Sequence, residues 1–114
     1  MAGYKRTMSS TFDQIRELIR QDLVRISEHG YDELVADGIL AREAVEGVSN
    51  AFLVEDYPNY PKGACVLVRE TDNDGRHIHV VWGIPRGKTE PAVLITAYRP
   101  DPDLRENDFL RRKR

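Results

Sequence analysis

Three histidines, a late tyrosine–arginine pair and a basic final quartet are the side chains of this sequence best suited to chemistry. His29 stands two residues after Ser27, a residue type that starts helices. A helix N-terminus disfavours further positive charge, which suits a histidine acting as general base. The plain alternative is a half-buried histidine tying two helices together. His77 and His79 are two apart in an extended run, so they share one sheet face. Such a pair could hold a metal with His29 as third ligand, but Cys65 and the acidic residues add no ligand cluster. No metal and no other cofactor is therefore expected. His79 lies deeper in its strand than His77 and is the stronger catalytic candidate.

Tyr98 and Arg99 close the last apolar run, immediately before Pro100, where a rigid scaffold presents groups to a loop. A phenol can give or take a proton and a guanidinium fork suits a phosphate. A salt bridge from Arg99 to Asp101 or Asp103 is the structural alternative. Arg111, Arg112, Lys113 and Arg114 either guide a nucleic acid or form a solvated tail. Tyr57 and Tyr60 flank a proline-rich turn and either stack on a base or pack that turn. Trp82 alternates with Ile78 and Val80, on the face opposite His79, and belongs to the core. No P-loop, GxGxxG, HExxH or GxSxG pattern is present, which leaves those enzyme classes without support.

Helices come first in the chain. Phe12, Ile15, Leu18, Ile19, Leu23 and Ile26 recur at helical spacing, and Thr11 with Gln14 has the form of a capping box. Ser27 then caps a second helix over Glu28 to Asp37, with Gly38 as its left-handed stop. A third runs from about Ala41 to Gly47. After Ser49-Asn50 the period becomes extended, giving strands over Ala51 to Tyr57, Ala64 to Glu70, His77 to Ile84 and Ala92 to Arg99. Asp74-Gly75 is the clearest hairpin turn. Short connections imply an antiparallel meander. The reading is a flexible leader over 1–10 and one α+β domain over 11–114: N-terminal helices on a four-stranded antiparallel sheet, then a short C-terminal helix or tail.

Composition narrows the partners. The chain has 114 residues, 32% charged, with net charge −2 and one cysteine. That cysteine cannot form an internal disulfide, in keeping with a reducing cytoplasm, and no apolar run is long enough to span a bilayer. Residues 1–57 carry net −5 and residues 58–114 net +3. The overall balance argues against a dedicated duplex binder, while the later half leaves room for a small RNA site.

In order along the chain stand Ile26-Ser27-Glu28-His29-Gly30, Gly38-Ile39, Val54-Glu55-Asp56-Tyr57-Pro58, Ile78-His79-Val80-Val81 and Ile95-Thr96-Ala97-Tyr98-Arg99-Pro100-Asp101. Together they resemble the bacterial and archaeal domain-of-unknown-function family 4258 over about residues 23 to 108. The chain differs at Gly30, where alanine is usual, and at Asp32-Glu33-Leu34, where the family often has an arginine. The resemblance implies a RelE-like fold, a ribonuclease toxin and an antitoxin-like protein partner. The expectation is a metal-independent endoribonuclease with His29 as base, His79 or Tyr98 as acid and Arg99 as phosphate clamp. RNA supplies its own nucleophile, so a base, an acid and a cation suffice. The alternative is a non-catalytic protein-interaction module.

Overall fold

Ser9, ahead of the predicted capping box, starts the first helix. Its hydroxyl accepts the Phe12 amide at 3.0 Å, and α1 covers Ser10–Arg20 in a computed structural model that describes residues 9–100. The predicted leader up to residue 8, the C-terminal helix or tail and the basic quartet Arg111 to Arg114 lie outside the described residues.

The predicted first helix ends early. Leu23 N–H reaches back to Leu18 carbonyl at 2.9 Å and Asp22 takes a left-handed φ of 64°, a helix-terminating arrangement. Val24–Ile26 is then extended as strand β1. Val24 and Ile26 pack on the core while Arg25 points outward, an alternation of period two. Leu23 and Ile26 fit helical spacing by coincidence; strand pairing decides their conformation.

Helix α2, Glu28–Ala36, starts where predicted. Ser27 Oγ accepts from Gly30 N–H at 2.9 Å and donates to the Ile95 carbonyl at 3.2 Å. Gly30 lets α2 lie against the sheet: a Cβ there would stand 2.6 Å from the Leu94 carbonyl oxygen. Gly38, at φ 65°, follows the helix as predicted. Helix α3, Ala41–Glu46, runs into a 3-10 turn over Gly47–Asn50.

The remaining strands are β2 (Phe52–Tyr57), β3 (Cys65–Thr71), β4 (His77–Gly83) and β5 (Ala92–Tyr98), close to prediction. They form an antiparallel meander, but the sheet has five strands and is mixed, because β1 pairs parallel to β5 in the order β1-β5-β4-β3-β2. Val24 stands beside Ala92 and Ile26 beside Leu94. The four-stranded expectation missed this addition because it depends on residues nearly 70 positions apart.

One face carries the core. Val66, Val68, Ile78, Val80, Trp82 and Leu94 meet Phe12, Ile15 and Leu34 from the helices. Trp82 is fully buried, as expected, and truncating a side chain of that size costs about 3–5 kcal/mol. No helix among the described residues is long and apolar enough to cross a membrane.

Candidate functional site

A row of four side chains crosses the sheet. Phe52 on β2 stands opposite Arg69 on β3, Arg69 opposite His79 on β4, and His79 opposite Tyr98 on β5. Residues paired in this way project from the same face. It is the face away from the helices, because the intervening Val68, Val80 and Ala97 belong to the helix-covered core. Antiparallel pairing thus brings residues 52 to 98 into one line.

The row is graded from solvent to interior. Phe52, on the edge strand, is 64% exposed, and the Arg69 guanidinium lies over its ring at 5.5 Å from the centroid. Arg69 is half-buried and His79 is fully buried. His79 Nδ1 lies 3.0 Å from the Tyr98 hydroxyl, with the rings edge to face. Its Nε2 has no hydrogen-bond partner among the described residues.

Burial is the main reason His79 titrates low, at about 4, with the Arg69 and His77 charges acting in the same direction. The ring is therefore neutral at neutral pH. If Nδ1 carries the proton and donates it to Tyr98 Oη, Nε2 presents a bare lone pair. The opposite tautomer would leave an N–H buried without an acceptor, the costlier orphan.

The other candidates are spread out. His29 is exposed in the first turn of α2, its Nε2 3.8 Å from the Glu33 carboxylate one turn on. Arg99 rests at the other end of that helix: its amide donates to Asp37 Oδ2 at 3.0 Å and its Nε to the Asp37 carbonyl at 3.3 Å. Asp37, the C-cap of α2, is eight residues beyond His29, about 12 Å along the helix axis. The structure does not bring His29 and Arg99 together. The arginine also makes a 3.0 Å ion pair with Asp72; the expected partners Asp101 and Asp103 lie outside the described residues. His77 is exposed at the start of β4, opposite Thr71. Cys65 is buried, and its surroundings, desolvation first and then Asp56, push the thiol up and away from the reactive thiolate.

Phe52 and Arg69 escaped the sequence reading. The Asp74-Gly75 turn carried the signal, since strands folded about Asp74 set Arg69 against His79. Placing Phe52 beside Arg69 needs the β2–β3 register, which a bulge between Leu53 and Glu55 shifts. Among the described residues, no three His, Cys, Asp or Glu side chains gather as a metal ion would require.

A family model described as a domain of unknown function (DUF4258) matches residues 26–99, which span α2, the row and Arg99. No curated protein and no solved structure matches the chain.

Proposed function

The chain belongs to the DUF4258 family, and from that premise we propose that it is a toxin-like, metal-independent endoribonuclease acting through the transverse row. The observation that carries this reading is the neutral His79–Tyr98 pair, whose Nε2 has no partner among the described residues, flanked by Arg69 and an exposed Phe52. An exposed aromatic suits a base and a guanidinium suits the phosphate beside it. His79 Nε2, enclosed in the free chain, must be uncovered as RNA seats; it then takes the 2′-hydroxyl proton as that oxygen attacks phosphorus. The P–O5′ bond breaks, and Tyr98 passes its proton to the departing 5′ oxygen. A 2′,3′-cyclic phosphate and a 5′-hydroxyl remain, and Arg69 offsets charge building on the phosphoryl oxygens. The resemblance adds an antitoxin-like protein as the natural partner.

The burial of His79 favours a second reading. A fully enclosed imidazole with so low a pKa is also what a purely structural histidine looks like. On this reading the protein is a non-catalytic interaction module, and β2, an end strand of the sheet among the described residues with Phe52 and Tyr57 exposed, offers its edge to a partner protein.

Total RNA incubated with the purified chain in chelator separates the two. The ribonuclease reading expects cleavage to cyclic-phosphate ends and at least a ~100-fold loss in His79→Ala. Native-rate cleavage by His79→Ala with loss in His29→Ala would move the base to α2 and overturn the row. Absence of cleavage by the native chain on both free RNA and ribosomes would leave the interaction module.

A further inference from the structure

A second row lies on the same face, away from the helices, one end of the sheet away from the first. Arg25, Val93, Gly83, Cys65 and Tyr57 are paired in turn across all five strands. Over its middle sits a pocket of about 340 Å³. Val93, Ile95 and Gly83 make an apolar floor, Tyr60 forms a wall, and Arg25 and Lys62 stand at the rim. Tyr60 is 51% exposed and is braced edge-on by Tyr57, with ring centroids 6.5 Å apart. The ionisable lining groups other than the tyrosine are both cations.

Gly63 builds this wall. At φ 130° it turns the chain where a Cβ would stand 2.2 Å from the Ile84 carbonyl oxygen. The β2–β3 turn therefore lies directly on the strand end after β4. Arg86 N–H to Lys62 carbonyl, 3.2 Å, and Arg86 Nη1 to Pro61 carbonyl, 3.2 Å, fasten the two loops.

We infer that this pocket is a subsite for a nucleobase of single-stranded RNA. The base lies on Val93 and Ile95 against the Tyr60 ring, and Arg25 and Lys62 hold the adjoining phosphates. Gly83 is four residues beyond His79 on β4, about 13 Å along the strand, a reach of a few nucleotides. A flat apolar floor with an aromatic wall accepts a π-face of any base, and paired rim cations answer the backbone charge. The subsite takes its direction from the ribonuclease reading, because it supplies that reading's substrate with a second anchor.

The test uses the full chain and a fluorescein-labelled, 2′-O-methylated hexauridylate, which binds but cannot be cleaved. Fluorescence anisotropy is expected to show about tenfold weaker binding for Tyr60→Ala. For Arg25→Gln/Lys62→Gln, the slope of log Kd against log salt should fall by about 1 to 2. Arg20→Gln/Arg42→Gln removes equal charge from the helix-covered side and is expected to bind as the native chain does. Thermal unfolding confirms that each variant is folded. Affinity of the Arg25/Lys62 variant within twofold of native, or equal weakening in the Arg20/Arg42 control, overturns the subsite. Pocket-dependent binding with no cleavage of unmodified RNA, free or on ribosomes, upholds the subsite and removes the ribonuclease. Cleavage with pocket-independent binding does the reverse.

Discussion

Arg99 and Asp72 meet at 3.0 Å with side chains only 18% and 3% exposed. The arginine that closes the last strand is thus spent on the fold. It joins the β3–β4 hairpin, through Asp72, to the end of α2, through Asp37. Asp72 in turn accepts the Asp74 and Arg76 amides at 2.9 Å each.

Removing either partner strands a charge in the interior. Arg99→Ala should cost about 3 kcal/mol, read as a fall in urea midpoint with an unchanged slope. Desolvation opposes ionisation of Asp72, but the Arg76 and Asp74 amides and Arg99 outweigh it, so its pKa is lowered. Its stabilising contribution is therefore present above the ordinary carboxylate range and is lost on acidification. An Arg99→Ala protein of native stability would show the ion pair to be idle.

Glu70 and His79 set opposite pH dependences. Burial raises Glu70 to about 8, against a weaker opposing hydrogen bond from the Trp82 indole at 3.3 Å. Between about 4.3 and 8 the folded chain holds a proton the unfolded chain has released, so Glu70 makes stability fall as pH rises. His79, at about 4 when folded, does the converse: stability falls as pH drops from about 6.5 toward 4. From pH 6.5 to 8 Glu70 acts without opposition from His79. Thermal melts of Glu70→Gln should lose the decline over that window; below pH 6.5 the two groups oppose each other, so His79→Gln should uncover a gain in stability on acidification that the native chain lacks. A native-like slope in Glu70→Gln would place the titrating group elsewhere.

Ser27 belongs to the motif that led to the family, yet its contacts are those of a helix cap and a tie to Ile95. Ser27→Ala should cost about 1–2 kcal/mol, or roughly 5–10 °C in Tm. Ser27→Asp restores the cap but cannot donate to the carbonyl, so it should recover part of that loss. Full recovery would mean that the Ile95 bond contributes nothing.

Gly63→Ala should destabilise by at least about 1 kcal/mol, because both the positive φ and the neighbouring backbone resist a Cβ. Hydrogen exchange is expected to quicken first at the Ile84 and Arg86 amides, whose acceptors are Ala64 and Lys62. Faster exchange confined to the helices would contradict this.

Local patterns in the sequence were enough to locate α2, the meander and the buried Trp82, because caps, turns and alternation are written in neighbouring residues. Those same patterns placed His79 on the face opposite Trp82 and Tyr98 at a strand end, but did not show the full burial of the imidazole. They misassigned Leu23 and Ile26, whose extended state depends on a distant strand. They also grouped His29 with Arg99, since chain order does not reveal that α2 holds the two at opposite ends. Arg69 and Phe52 stayed hidden because a cation and an aromatic become a site only once the register aligns them with His79.

The parallel pairing of β1 with β5 has a consequence for biosynthesis. Strand β1 and the cap of α2 find their backbone partners only in the final strand, through Ala92, Leu94 and Ile95. As the polypeptide leaves the ribosome, the β2–β4 meander can zip up on its own, but its early segments must wait for β5. Tyr98 arrives on that same strand. Closure of the domain and completion of the His79–Tyr98 pair are thus one late event, and a ribosome stalled before β5 would carry a nascent chain with neither.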